Sequence, residues 1–204
     1  MGGEIEALFV RAADMPEFVA DGAADGGITG WDLVEESGRR LQFRLDLGCG
    51  HCALVVAAKE DSGILSLSDV APGSRVATSF PRGTADFFRA AGVSVEVVPV
   101  GGAAEIAPHQ GIADIIVDLT SSGSTLKTNG LQPIATVRES SARFVTVEAP
   151  ESRTDRALQN LADVLKSVVA ARSSRYAMAN VPQPRWAVFA TCCQGCGDPR
   201  WWTS

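Results

Sequence analysis

Apolar positions in this chain fall into short runs separated by glycine, proline and acidic residues, the pattern of strands alternating with helices. Residues 5–10 predict a strand, and residues 15–20 a helix preceded by Asp14 with Pro16 in its first turn. Residues 21–30 form a glycine-rich return, after which a helix begins at Trp31 and stops before Gly38. Residues 53–58 are a strand, residues 66–69 a short helix followed by a Pro72-Gly73 turn, and residues 75–79 a further strand. A helix over 84–91 closes at Gly92, Val95, Val97, Val98 and Val100 mark another strand, and residues 103–108 read as a short helix. Ile115, Ile116 and Val117 suit a covered parallel strand, and residues 140–148 a strand bounded by Pro150. The clearest helix spans 154–172, with Leu158, Leu161, Leu165 and Val168 on one stripe, Val164 and Val169 widening it, and Arg172 and Arg175 at its C-terminal end. Residues 183–204 have no period and hold three of the four tryptophans, so they read as an irregular tail. The alternation as a whole predicts an α/β protein.

Composition narrows the function. A chain of 204 residues that is 46% hydrophobic can build one large or two small domains. The net charge of −6 argues against general nucleic-acid binding, which needs clustered Lys and Arg. The apolar run over 53–58 is far below the roughly 20 residues of a membrane span. Glu4 and Glu6 stand where a secretory signal would be basic, so a cytoplasmic location is the expectation.

Five cysteines occur, and two pairs have C-x-x-C spacing: Cys49 with Cys52, and Cys193 with Cys196. A thioredoxin-like pair opens a helix after a strand, whereas Cys49 and Cys52 lead into the apolar strand over 53–58. A zinc site would have to join the two pairs across roughly 140 residues of chain. The redox or zinc reading is therefore the weaker one. His51 and His109 have no acid at a recognisable catalytic spacing.

The strongest chemical signal is Asp118 followed by Thr120, Ser121, Ser122, Gly123, Ser124 and Thr125. Asp118 ends an apolar strand, the edge at which open α/β sheets place ligands. The hydroxyls and the backbone N–H groups around Gly123 suit a phosphate, and an acid beside a phosphate can hold sugar hydroxyls. The same residues also suit a turn capping a helix that starts near Thr125.

Several ordered motifs make the chain resemble the ATP phosphoribosyltransferase family of histidine biosynthesis. They include Leu8-Phe-Val-Arg11 with Asp14-Met-Pro-Glu17, the glycine-rich stretch to Gly30 with Asp32-Leu-Val-Glu-Glu36, and Arg75-Val-Ala-Thr78-Ser79-Phe80-Pro81. Gly102-Ala-Ala-Glu105-Ile-Ala-Pro108, Asp114 through Leu126 and Glu139-Ser-Ser-Ala-Arg143 continue the series. The resemblance implies transfer of phosphoribosyl from phosphoribosyl pyrophosphate to N1 of ATP, with Mg2+ carried on the pyrophosphate. It implies that Thr120 to Thr125 hold the 5′-phosphate and that Asp118 holds the ribose hydroxyls and steadies positive charge on the sugar. Glu105 would approach the sugar or the ion, while Gly30, Thr78 and Ser79 would face the nucleotide and Arg11 would contact substrate.

The implied fold is a two-domain, periplasmic-binding-protein-like (type II) architecture with an interdomain cleft. Residues 1–62 and 143–180 would form the first domain, and residues 63–142 the second. Homo-oligomers, dimers or hexamers, are implied for a complete member. Members of the family carry a further strand, a Lys-Gly-Arg-type turn and a helix before the position of Ile5, and the long form carries a histidine-sensing domain after the position of Pro182. The first domain is accordingly expected to be incomplete, and the alternative to catalysis is a protein of the same fold that binds phosphoribosyl pyrophosphate or a nucleotide without turnover.

Overall fold

A computed structural model describes residues 5–172. The expectations for Arg175, Cys193, Cys196 and the tail over 183–204 lie outside the described residues. The architecture below is that of the compact unit that ends at Val169.

Its elements run α1 (Met15–Ala20), β1 (Gly26–Gly30), α2 (Trp31–Ser37), β2 (Leu41–Asp46), β3 (Cys52–Lys59), β4 (Ser74–Thr78), α3 (Pro81–Ala90), β5 (Val95–Pro99), β6 (Ile115–Thr120), α4 (Ser124–Thr128), β7 (Leu131–Ser140), β8 (Ala142–Val147) and α5 (Ser152–Arg172). Two 3₁₀ turns, Leu67–Asp69 and Ala104–Ile106, lie between β3 and β4 and between β5 and β6. Strands β1, β8 and β2 form an antiparallel three-stranded sheet, and β5-β4-β6-β3-β7 form a five-stranded one. Within the larger sheet β4 runs parallel to β5 and β6, while β3 runs antiparallel to β6 and β7. The chain passes between the two lobes twice, from β2 to β3 and from β7 to β8.

The larger sheet is covered on both faces. Val56, Val76, Ile115 and Val117 pack with Phe80 and Phe88 on one side, and Val55, Ala77 and Ile116 pack with Ala107 and Leu126 on the other. Ile115, Ile116 and Val117 are wholly buried, which explains why β6 is an unbroken apolar run rather than an alternating one.

Several expectations are corrected here. Residues 5–10 are not a strand: among the described residues they pair with no neighbour, and Leu8 and Phe9 are 59% and 95% exposed. Ile5, Leu8 and Val10 instead line an open apolar groove with Met15, Phe144 and Leu158. The glycine-rich return ends in a strand, β1, because Gly26 and Gly27 let the backbone press against Phe144, Leu158 and Met15. Gly27→Ala would drive a methyl into Met15 and Val19, and is expected to lower the melting temperature by about 3–6 °C in a thermal scan, from overpacking of about 1–2 kcal/mol.

Strand β3, grouped by sequence with the first domain, is hydrogen-bonded into the five-stranded sheet between β6 and β7. β2 and β7 have no counterpart in the sequence reading; Pro133 disguised β7, and it is tolerated because β7 is an edge strand with irregular register against β3. Helix α3 begins at Pro81, three residues before the sequence expectation, since proline suits the first helical position. The short helix over 103–108 is only the 3₁₀ turn Ala104–Ile106. On α5, Leu158 and Ala162 are buried while Val164 and Val168 remain 60% and 50% exposed, so the buried stripe is narrower than its apolar content suggests.

Candidate functional site

Parallel β4, β5 and β6 end on the same edge of the larger sheet. Thr78 of β4 stands opposite Val117 of β6 on one side and Pro99 of β5 on the other. The three loops that follow these strands therefore meet: one from Ser79, one through Gly101 to Glu105, and one from Asp118 to Thr125. This is the edge at which an open α/β sheet receives ligands.

The third loop gathers hydroxyls around a glycine turn. Thr120 Oγ1 accepts from the Gly123 N–H at 2.8 Å, which folds the turn, and Gly123 has φ 74°, a conformation favouring glycine. Ser122 and Ser124 share a hydroxyl contact at 2.9 Å. Helix α4 then starts at Ser124 with Gly123 at its cap position offering no side chain; the Ser124 N–H reaches Ser122 Oγ at 3.4 Å, and the amides of Thr125 and Leu126 have no side-chain cap. Ser121, Ser122, Ser124 and Thr125 are exposed, and a Cβ added at Gly123 would meet nothing within 4 Å. With only five residues, α4 contributes a few oriented amides rather than a strong dipole.

Beside this loop Asp118 is half-buried, and its Oδ1 accepts from its neighbour Leu119 N–H at 2.8 Å. Burial pushes the Asp118 carboxyl above its ordinary range, the Leu119 N–H draws it partly back, and the Glu105 charge adds to the rise. The two acids predicted from sequence are thus electrostatic neighbours. Glu105 sits in the 3₁₀ turn after Ala103, which holds φ 53° and is the lone non-glycine at positive φ among the described residues. Backbone held in that region tends to mark functional loops.

The remaining predicted residues are placed as follows. Ser79 is exposed at the end of β4 and donates to the Val100 carbonyl at 3.0 Å. Thr78 is wholly buried, and its Oγ1 accepts from the Phe80 N–H at 2.9 Å and from Thr84 Oγ1 at 3.2 Å, so its hydroxyl shapes the loop from within. Gly30 ends β1 where a Cβ would collide with the Asp32 carboxylate. Arg11 is exposed in the turn entering α1, next to Ala12, whose carbonyl accepts from Thr29 Oγ1 at 2.7 Å.

A polar cluster where the lobes join was not singled out from sequence. Ser140 Oγ donates to Asp32 Oδ1 at 2.5 Å, and Ser141 Oγ donates to Asp46 Oδ2 at 2.7 Å. Arg143 lies 3.7 Å from Asp46, and its guanidinium carbon sits 4.7 and 5.2 Å from the ring centres of Trp31 and Phe43, which themselves meet edge to face. Two successive serines beside an arginine, with aspartates upstream, were the available signal. Burial raises the Cys52 thiol, the Asp32 charge does the same, and the Ser140 hydroxyl opposes them. A thiol held in its protonated form is a poor nucleophile, which weakens the redox reading. Among the described residues no group of three or more His, Cys, Asp and Glu side chains is placed to hold a metal.

The Ser141 hydroxyl, then the Gly48 N–H, and lastly the charges of Arg143 and His51 hold Asp46 below its ordinary value. A depressed folded value means that Asp46 adds stability above its unfolded pKa of about 3.9 and loses it as pH falls through the folded value. Asp46→Asn should therefore lower the melting temperature at neutral pH and narrow its gap from wild type at the acid end of a pH series.

Comparisons with known proteins are consistent across sequence and structure. The family profile described as HisG, ATP phosphoribosyltransferase, matches residues 11–167. The chain is 60% identical over 190 residues to the ATP phosphoribosyltransferase of Gemmatimonas aurantiaca, covering 90% of this chain and 65% of that protein. It is 46% identical to that of Methanosarcina barkeri, covering 88% of this chain and 62% of the relative. The chain thus spans slightly less than two thirds of the length of the curated relatives it matches. Among solved structures, the ATP phosphoribosyl transferase (HisG:HisZ) complex from Thermotoga maritima aligns with TM-score 0.71 and 27% identity over 79% of this chain and 78% of that one. The periplasmic aliphatic sulphonate binding protein SsuA from Escherichia coli aligns with TM-score 0.55 and 17% identity over 92% of this chain and 66% of that one, a likeness of fold alone.

Proposed function

The chain belongs to the ATP phosphoribosyltransferase family, and from that premise we propose that it binds phosphoribosyl pyrophosphate on the loop from Asp118 to Thr125 and transfers its phosphoribosyl group to N1 of ATP, releasing pyrophosphate. The observation that carries this reading is the open, exposed hydroxyl loop lying beside a half-buried carboxylate at the shared end of three parallel strands.

In this reading the amides and hydroxyls of Thr120, Ser121, Ser122, Gly123, Ser124 and Thr125 hold the 5′-phosphate, which fixes the sugar and sets C1 toward the incoming base. Asp118 accepts the ribose hydroxyls. As the C1–O bond to pyrophosphate breaks, the ring gains positive charge, and the Asp118 carboxylate stabilises it without having to reorganise. The N1 lone pair of adenine then forms the new bond to C1. Burial is the main cause of the raised Asp118 carboxyl, and positive charge growing on the sugar favours its ionised form.

The residues fit a magnesium ion that arrives on the substrate. Magnesium usually keeps waters and substrate phosphates and takes only one or two protein carboxylates, and Glu105, with Asp118 engaged by the sugar, would be the one offered here. When bound it would neutralise the leaving pyrophosphate. Gly30, Ser79 and Arg11 are assigned to the nucleotide side, with Thr78 shaping the loop beneath it. No helix among the described residues is long and apolar enough to cross a membrane. A cytoplasmic location and assembly into homo-oligomers complete the proposal.

A pyrophosphate-release assay with both substrates and Mg2+ tests the reaction. Release that depends on both substrates, with a phosphoribosyl-ATP product by mass spectrometry, is the expected result. Saturable binding of both ligands without release would identify a binding protein of the same fold, and absence of binding would remove the assignment.

A further inference from the structure

Helix α2 carries three acids, Asp32, Glu35 and Glu36, and every one of them reaches an element of the larger lobe. Asp32 bonds Ser140 at the end of β7, both through its carboxylate and through its N–H, at 2.5 and 3.0 Å. Glu35 pairs with Arg138 of β7 and accepts from Trp31 Nε1 at 2.5 Å. Glu36 accepts from the N–H of Arg82 at 2.8 Å and from that of Gly83 at 2.9 Å, one carboxylate oxygen to each. Between them, Leu33 packs on the core formed by Leu54, Phe80 and Phe88.

The Glu36 contact stands apart from the others. Arg82 and Gly83 are in the first turn of α3, whose amides need an outside acceptor, and Phe80 at the cap position provides none. A carboxylate from a different helix fills that role, satisfying two amides at once and opposing the positive end of the helix dipole. The seat is shaped for it. Gly38, which ends α2 at φ 67°, leaves room for the Arg82 side chain, and a Cβ there would collide with it.

The chain positions on either side of this bond matter. Helix α2 starts directly after Gly30, and α3 starts two residues after Ser79, so Glu36 ties together the two strand ends assigned to the nucleotide. We propose that Glu36 is a positioning residue: by capping α3 from α2 it sets the end of β1 at a fixed distance from the end of β4, and so shapes the nucleotide side of the cleft while leaving the Asp118 loop alone. This rests on the function proposed above. Its sequence signature is the acidic Asp32-Leu-Val-Glu-Glu36 stretch, where acids at i, i+3 and i+4 share one side of the helix.

The test uses Glu36→Ala and Glu36→Gln in the full chain, with amide exchange at Arg82 and Gly83 and calorimetric titration of ATP and of phosphoribosyl pyrophosphate, each with Mg2+. Exchange at both amides should quicken about tenfold or more in the alanine variant, with ATP affinity falling about tenfold and phosphoribosyl pyrophosphate affinity holding within about twofold of wild type. Glutamine, which keeps one acceptor oxygen, should restore part of both effects and covers the case in which alanine does not fold. Unchanged exchange in either folded variant overturns the cap. Faster exchange with ATP affinity intact, or with both ligands weakened equally, reduces Glu36 to a structural role and overturns the positioning claim. A wild-type protein that binds neither ligand removes the function itself, a failure recognised before any variant is compared.

Discussion

Asp118→Asn is expected to raise the melting temperature by about 2 °C or more while lowering turnover by about a hundredfold to a thousandfold. The opposite signs follow from one environment. Burial and the nearby Glu105 raise the Asp118 carboxyl above its usual range, so the folded chain holds that proton more tightly than the unfolded chain and loses stability as pH rises through the raised value. Asparagine is neutral at every pH and keeps an oxygen for the Leu119 N–H, so it removes that loss at neutral pH. The stability advantage of the variant should shrink as pH falls, because the wild-type carboxyl then takes up its proton. Turnover suffers because asparagine offers no charge to the cationic sugar. A scan at several pH values beside a steady-state rate measurement decides the matter. A variant that is both less stable and fully active would show that Asp118 merely caps its own loop.

Gly123→Val is the second large effect. Gly123 sits at φ 74°, where a β-branched residue is a genuine outlier and costs about 1–2 kcal/mol. The loop would relax rather than carry that strain, giving up the Thr120 Oγ1 bond to the residue 123 N–H and turning the first amides of α4 off their common target. Affinity for phosphoribosyl pyrophosphate should drop at least about tenfold. Gly63→Val is the matched control, since Gly63 has φ 75° and, like Gly123, open space around its Cα. It should lose similar stability and keep full affinity. Equal affinity losses in the two variants would mean that the Gly123 effect is a general weakening of the fold.

The larger lobe was legible in the sequence because its strands are covered on both faces. Continuous runs such as Val76-Ala77 and Ile115-Ile116-Val117 carry their burial on their surface, and each leads into a loop whose chemistry is local. Asp118 and the hydroxyl turn could therefore be placed together from spacing alone. The smaller lobe was harder to read. Whether residues 5–10 form a strand depends on a neighbour and not on their own alternation, and among the described residues they have none. Strand β2 of this lobe is partly exposed, and so is the edge strand β7 of the larger lobe, which contains Pro133; the patterns of both are weak until pairing with β8 and β3 fixes them. The joining cluster was missed for a different reason: Asp32 and Ser140 lie 108 positions apart, and only the fold brings them to 2.5 Å. Thr78 shows the same limit in reverse, since its place at a strand end suggested a ligand contact while its hydroxyl is taken up by Phe80 and Thr84.

The most direct measurement is a titration of isotopically labelled protein with phosphoribosyl pyrophosphate and Mg2+, following backbone amide resonances. Large, saturable shifts at Ser121, Ser122, Gly123, Ser124 and Thr125, with smaller ones at Glu105 and Leu119, are the expected result. A titration in which those resonances stay fixed at millimolar ligand, or in which the shifts gather around Cys49, His51 and Cys52, would contradict the assignment of the loop after β6 as the sugar-phosphate site.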